Sequence, residues 1–183
     1  MTNDSQTRIR DLIDRIARLS AADEWSDDIN PTPWVALSYL ARANRFSRAP
    51  SQVAEFMAAT RGTVSQTLKA LSRKGLISEI RSQADKRWIS YSITEQGIDV
   101  LNRKTIIDEA SANLDNTTAR HLADGLETLV RQALANRGQR AFGICVSCRH
   151  HKKQGAGGYC MLLQEELSQA DSEKICHEHE AAA

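Results

Sequence analysis

The sequence predicts a mainly α fold with one small β-hairpin and a compact cysteine-rich tail, and three observations carry that reading. Apolar residues recur at helical spacing over most of the first 138 positions, one pair of short alternating segments interrupts them, and all four cysteines fall within the last 39 residues. With 183 residues, 41% of them hydrophobic and 26% charged, the chain can bury one substantial core and carry an appendage. The expected boundaries are 1–138 for the helical domain with its hairpin and 139–183 for the cysteine-rich module.

Ile9, Leu12, Ile13, Ile16 and Leu19 predict an amphipathic helix over about 4–19 with a charged outer face. Thr32-Pro33 offers an N-cap and a first-turn proline for a second, largely buried helix that carries Trp34, Leu37, Tyr39 and Leu40 and runs up to Phe46. Ser51 is placed to cap a short helix over 52–59 with Val53, Phe56 and Met57 inward. Thr60-Arg61-Gly62 reads as a break, and a fresh helix is predicted over 63–74. Its Val64, Leu68 and Leu71 point inward, while Ser65, Gln66, Lys69 and Arg73 point outward. Two short helices joined by a tight turn make a helix-turn-helix.

Gly75 is well placed to end that helix. Leu76–Ile80 and Trp88–Ile93 then read as two strands around a polar, basic tip from Arg81 to Arg87. A hairpin in that position is a wing. Thr94-Glu95-Gln96-Gly97 caps a helix with Ile98, Leu101, Thr105 and Ile106 that is expected to continue to Leu114. A last helix starts at Thr117 or Thr118, carries Leu122, Leu126, Leu129, Val130 and Leu134, and stops near Gly138. Long striped helices around a small core need a partner surface, so with the first helix they are expected to build a homodimer interface. The fold class is thus a winged helix-turn-helix with long dimerisation helices plus a small cysteine-rich module.

A net charge of +1 conceals an asymmetry along the chain. Residues 61–87 hold seven basic side chains against Glu79 and Asp85, whereas residues 1–30 hold four arginines against seven acids. Basic charge is concentrated where a polyanion can meet it.

Residues 5–137 resemble a MarR-family winged-helix regulator. The segment Ala59-Thr60-Arg61-Gly62-Thr63-Val64-Ser65-Gln66-Thr67-Leu68-Lys69-Ala70-Leu71 looks like that family's recognition helix, followed by Arg73-Lys74-Gly75-Leu76-Ile77. Asp85-Lys86-Arg87 sits where the family keeps an Asp-x-Arg motif in the wing, and Ile93-Thr94-Glu95-Gln96-Gly97 looks like its strand-to-helix junction. The resemblance implies a homodimer that lays one recognition helix per subunit in the major groove of a pseudo-palindromic double-stranded operator, and usually represses. It stops near Arg137, and the cysteine-bearing tail is no part of the family pattern.

On the recognition helix, Arg61, Thr63, Ser65, Gln66 and Lys69 occupy the exposed starting face, with Arg73 further along. Arginine to guanine and glutamine to adenine are the favoured two-bond pairs, which suits Arg61 and Gln66 to base edges. Thr63, Ser65 and Thr67 suit phosphates, which position a protein without specifying sequence. In the wing, Lys86 suits a phosphate and Arg87 a narrow minor groove. A plain Asp85–Arg87 salt bridge would instead shape the hairpin, and the resemblance implies that both roles coexist, with Asp85 orienting Arg87. Trp34, Tyr39, Phe46 and Trp88 have spacings that turn most of them into the core.

Cys145, Cys148, Cys160 and Cys176 follow the spacing C-x2-C-x11-C-x15-C. Two thiolates three positions apart can grip one metal, and the glycine-rich bend 154–158 can return Cys160 to the pair. Leu162, Leu163 and Leu167 suggest a short helix leading to Cys176, which completes a four-thiolate set. Three chemistries fit: an iron–sulfur cluster, a closed Zn2+ site, and metal-free thiols that oxidise reversibly. A zinc ribbon commonly uses two C-x2-C knuckles and this tail has one, which favours the cluster. His177 or His179 can replace one thiolate in a Cys3His site, although four cysteines already satisfy the count. His150 and His151 read as support or solvated surface, and Arg149, Lys152 and Lys153 as charges offsetting the thiolates or as a solvated loop. The occupied module is expected to pack near the dimerisation helices and fix the spacing of the recognition helices.

No basic leader, apolar core segment or run of about 18 apolar residues is present, so the expectation is a soluble cytoplasmic protein without membrane association. Clustered cysteines in that compartment hold metal or do redox chemistry more often than they form disulfides. No G-x-S-x-G elbow, H-E-x-x-H pair or glycine-rich phosphate loop occurs, and His177-Glu178-His179-Glu180 has the wrong spacing for a zinc protease. The chain therefore reads as a non-enzyme. Two alternatives stay open: a regulator with a structural zinc and an organic effector, and an electron-transfer or redox protein.

Overall fold

The computed structural model describes residues 4–24, 29–81 and 88–182. Helix α1 covers Asp4–Glu24, beyond the end of its apolar stripe. Helix α2 is Pro31–Arg42, with Asn30 rather than Thr32 at the N-cap and Pro31 in the first turn. It ends before Phe46 because Asn44 leaves the helix in an extended conformation and caps a 3-10 turn, Arg45–Ser47, by accepting from the Phe46 N–H. Helix α3, Pro50–Phe56, starts at the proline and not after Ser51. Its start is held by Gln52, whose Oε1 accepts from the Ala49 N–H at 2.8 Å while Nε2 donates to the Phe46 carbonyl at 2.9 Å.

Helix α4 runs Arg61–Arg73, because the Thr60 side chain caps it by accepting from the Thr63 N–H. Arg61 and Gly62, read as a break, are its first turn. Gly75 follows at φ +72°, the left-handed conformation that ends helices and favours glycine. Strands β1 (Ile77–Arg81) and β2 (Ile89–Ile93) pair antiparallel, with Ile77 opposite Ile93 and Arg81 opposite Ile89. The wing tip 82–87, with Asp85, Lys86 and Arg87, lies outside the described residues.

The helix expected to run on to Leu114 is two: α5 (Glu95–Leu101) and α6 (Ile106–Ala112). Thr105, read as part of the stripe, is the cap that separates them, and it exchanges hydrogen bonds with Asp108 in a capping box. Helix α7, Asn116–Asn136, starts just before the predicted threonines because Asp115 accepts from the Thr117 and Thr118 N–H groups.

Leu37, Tyr39 and Leu40 from α2 meet Val53 of α3 and Val64, Leu68 and Leu71 of α4 in the core, with Leu76, Ile77 and Tyr91 from the wing. The apolar stripes of α1 and α7 stay outside it: Leu12 is 49% exposed and Leu122 is 50% exposed, with Ile9, Ile16, Leu126 and Val130 similarly open. No described helix is long and apolar enough to cross a membrane.

The tail forms two small sheets and one helical turn. Strands β3 (Gly143–Ile144) and β7 (Ile175–Cys176) pair antiparallel, as do β4 (His151–Gln154), β5 (Gly157–Cys160) and β6 (Glu165–Leu167) in a meander. Gly155, at φ +59°, turns the β4–β5 hairpin where the glycine-rich bend was expected. Helix α8 is Gln169–Ser172. The leucine-rich helix expected before it does not form. The chain wraps Cys160 instead, with Leu163 N–H donating to its sulfur at 3.5 Å and Gln164 N–H to its carbonyl at 2.8 Å. Leu162 and Leu163 are left exposed by that turn, whereas Leu167 on β6 is buried.

Candidate nucleic-acid interface and cysteine cluster

Capping by Thr60 orients the first turn of α4 so that Arg61, Thr63, Ser65 and Gln66 face outward, with Lys69 and Arg73 on the following turns. The Thr63 hydroxyl already lies 2.9 Å from that of Thr60. Thr67, expected among the phosphate contacts, is buried, and its hydroxyl donates to the Thr63 carbonyl at 2.9 Å. It falls on the inward stripe beside Val64 and Leu68. Trp88 also departs from expectation: at the base of the wing it is 66% exposed. It lines a shallow groove with Gln52, Arg61 and Ser65, and so continues the α4 surface toward the wing. Of the other aromatics, Tyr39 is fully buried, Trp34 is half-buried against the core, and Phe46 is half-buried against the cysteines.

The four cysteines are buried and free of disulfides. Cys145, Cys160 and Cys176 cluster with Leu167 and Phe46, and Cys145 feels the other three sulfurs electrostatically. The C-x2-C segment is a 3-10 turn in which Cys148 N–H donates to the Cys145 carbonyl, and Glu180 N–H donates to the Cys148 sulfur at 3.4 Å. Backbone N–H groups aimed at sulfur suit thiolates. Cys145 and Cys176 share a hydrogen bond, which acidifies Cys176 to about 6 together with further donors including Asn44 and against its burial. The same bond, with burial and the neighbouring sulfurs, pushes the Cys145 thiol up. Among the described residues, no three or more His, Cys, Asp or Glu side chains stand as a formed metal-ion site. The donor set has soft-metal chemistry, with its sulfurs not drawn around one point.

Around the cluster, His177 Nε2 lies 2.8 Å from Glu55 Oε2, His179 Nε2 2.9 Å from the Ser147 hydroxyl, and His151 Nε2 3.1 Å from that of Ser172. Burial lowers the pKa of His179. Arg149 and His150 pair with Glu180.

The tail is anchored to the segment between α2 and α3 and to α3 itself. Asn44 N–H donates to the Ile175 carbonyl at 2.9 Å, and His177 N–H to the Ser47 hydroxyl at 2.8 Å. Arg45 reaches Asp171 and the Glu166 carbonyl. Phe142 meets Tyr39, Phe56 and His177 edge-on, and Ile175 joins the main core. Asn44, Arg45, Ser47, Glu55 and Asp171 carry no motif, and only their long-range contacts reveal them.

Residues 27–87 match the model of the MarR family. This MarR-family match takes in α2, α3, α4 and the segment up to the wing tip. No curated protein is significantly similar to the chain. Among solved structures, FabT of Streptococcus pneumoniae in complex with DNA superposes with a TM-score of 0.55 at 23% identity, over 73% of this chain and 99% of that one. MepR of S. aureus in its DNA-binding conformation gives 0.59 at 20%, over 72% and 99%, and the transcriptional regulator SlyA 0.58 at 16%, over 73% and 96%. At these identities the likeness is one of fold. Roughly a quarter of the chain has no counterpart in these structures.

Proposed function

We propose that the chain is a MarR-family, DNA-binding transcriptional regulator that works as a homodimer, represses, and has its operator affinity tuned by the four-cysteine cluster. The observation that carries the reading is the outward face of α4. Arg61, Ser65, Gln66, Lys69 and Arg73 stand together beside a wing, on the segment that matches the family model. Titration of the purified protein onto duplexes selected from a random pool tests it. A single enriched pseudo-palindrome bound with steep salt dependence supports the reading, and binding to no duplex over any other rejects it.

Homodimerisation is supported by the exposed apolar stripes of α1 and α7, which a second copy would cover. Cys145, Cys148, Cys160 and Cys176 would hold a metal or an iron–sulfur cluster, which supplies a charge centre that chelation or oxidation removes. Two features support the reading: backbone N–H groups face the Cys148 and Cys160 sulfurs, and Ile175, next to Cys176, accepts a hydrogen bond from Asn44 in the segment between α2 and α3. The iron–sulfur and zinc readings are separated by a spectrum of protein purified without oxygen, with iron, sulfide and zinc analysis. Brown protein with iron and sulfide makes the tail a redox or iron-status sensor. Colourless protein with one zinc makes it a staple or zinc sensor.

One further observation favours an organic effector as a second input. A groove between α1, α2 and the α5–α7 region is lined by Ile13, Ile16, Trp34, Leu101, Arg103 and Leu126. It combines apolar walls with the charged side chains of Arg42, Arg103 and Asp108, which suits a small amphipathic organic molecule.

A further inference from the structure

We propose that Trp88 is a DNA-backbone contact: its indole lies on the sugar–phosphate strand between the major groove taken by α4 and the adjacent minor groove, with the ring face against deoxyribose and Nε1–H donating to a phosphate. The inference rests on the proposed function above, in which α4 enters operator DNA, and it adds to that interface a residue outside the recognition helix.

Among the described residues no large apolar side chain is more exposed than Trp88, at 66%. The wing does not use it for its own packing. Tyr91 is buried, Ile89 and Ile93 pack against the core, and the Tyr91 N–H donates to the Arg48 carbonyl at 3.1 Å. Alternate residues of β2 thus hold the hairpin to the helices, and Trp88, one position before the strand, falls outside that series. A single exposed apolar side chain says little by itself, so its setting decides. Trp88 shares its groove with Arg61 and Ser65 of α4 and with Pro50 and Gln52 at the start of α3, and no acidic residue lines it. Both walls are fixed. The Thr60 side chain caps α4, and Gln52 ties α3 to the Ala49 N–H and the Phe46 carbonyl.

The geometry of B-form DNA supplies the occupant. Each major groove is separated from the next minor groove by one sugar–phosphate strand. In the proposed function α4 takes the major groove, and the basic tip 82–87, which ends next to Trp88 in the chain, suits the minor groove. A side chain between the two stands over the strand. Tryptophan fits that place: its ring face is apolar, as deoxyribose is, and its one polar group is a donor with no acceptor to repel a phosphate. Residues 61–87 hold seven basic side chains against Glu79 and Asp85, so the surroundings attract a polyanion. A contact of this kind adds affinity and fixes register without reading sequence.

The test uses the full chain and the duplex enriched by the selection described above. Trp88→Ala is expected to weaken binding by about 10-fold or more, as loss of one hydrogen bond to a charged group does. Trp88→Phe keeps an apolar ring and should recover part of the loss. Because no charge is removed, the slope of log affinity against log salt should stay at its wild-type value in both variants, and the enriched sequence should not change. Their unfolding midpoints should match wild type, since the side chain is not part of the core. Occupancy is read directly in a Trp25→Phe/Trp34→Phe protein, in which Trp88 is the one indole left of three. Acrylamide should quench its fluorescence readily in free protein and much less in the DNA complex. Should that double variant fail to fold, the difference in quenching between wild type and Trp88→Phe gives the same signal. Wild-type affinity in Trp88→Ala, or quenching that DNA leaves unchanged, overturns the inference while the DNA-binding reading stands. An altered base preference in Trp88→Ala also overturns it, because the indole would then face bases instead of the strand. If the wild type binds no duplex over any other, the DNA-binding reading itself fails and takes this inference with it.

Discussion

His177 Nε2 and Glu55 Oε2 lie 2.8 Å apart across 122 positions of sequence, and the contact joins the cysteine-rich tail to the first helix of the helix-turn-helix. His177 is mostly buried, and it also meets the Phe142 ring edge-on. Glu55→Ala removes the acceptor and leaves the imidazole without its α3 partner. The expected cost is about 1 kcal/mol of unfolding free energy, the usual net value of one such hydrogen bond. Chemical denaturation measures it. Phe142→Ala should cost about 2 kcal/mol, because a half-buried ring that touches Tyr39 and Phe56 is lost along with the same His177 contact. Wild-type stability in both variants would mean that the tail's seat on α3 contributes nothing.

Asp171 supplies a second anchor, with a pH dependence. Its burial opposes ionisation, but hydrogen bonds from Ser168 and the Arg45 N–H, and the Arg45 guanidinium, hold the carboxyl below its usual range. A carboxyl depressed in the folded state adds stability that is fully present above its unfolded pKa, about 3.9, and is lost as the pH falls through the folded value. Arg45 is 47% exposed, so solvent screening keeps the contribution at about 1 kcal/mol. Asp171→Asn should therefore destabilise the protein at pH 7, with the gap to wild type closing as the pH drops below about 4. Denaturation curves at the two pH values decide it, and a gap that stays constant would show that the charge is irrelevant.

On α4, different side chains should fail in different ways. Gln66→Ala should relax selection at one base position by about 1–3 kcal/mol while leaving the other positions alone. Arg73→Ala should weaken binding to every duplex evenly and lower the slope of log affinity against log salt by about one. Sequence-resolved binding of both variants at several salt concentrations separates the two. Thr67→Ser should do neither, because that hydroxyl is already used on the Thr63 carbonyl inside the core.

Much of this architecture was legible from the chain alone, for reasons visible in particular residues. Val64, Leu68 and Leu71 repeat at helical spacing, so α4 and its outward face could be read directly. Thr67 could not, because a threonine on the edge of an apolar stripe looks the same whether it faces solvent or a carbonyl one turn back. The α5–α6 break was hidden by Thr105, whose role depends on the Asp108 carboxylate folding back onto it. The helix expected at Leu162–Leu167 failed because Cys160 organises the chain around its sulfur, an interaction with no apolar period. The four cysteines announced a cluster. Its docking on Asn44, Ser47 and Glu55 involves pairs more than 100 positions apart, and no local pattern encodes those.

The apolar faces of α1 and α7 make the strongest demand on a partner. Ile9, Leu12, Ile16 and Leu19 on one helix, and Leu122, Leu126, Leu129 and Val130 on the other, each remain between 39% and 56% exposed, an amount of apolar surface that a soluble monomer rarely carries. Burying such side chains contributes about 25 cal/mol for each Å² removed from water, so covering both stripes would favour association of two copies. Leu126→Glu places a charge in the middle of that surface and should shift the protein to monomers at micromolar concentration, as read by light scattering after gel filtration. Because an operator with two half-sites is bound tightly only by two linked recognition helices, the same variant should lose most of its affinity for the full site while a single half-site still binds weakly. A Leu126→Glu protein that stays dimeric and binds the full operator would place the interface elsewhere.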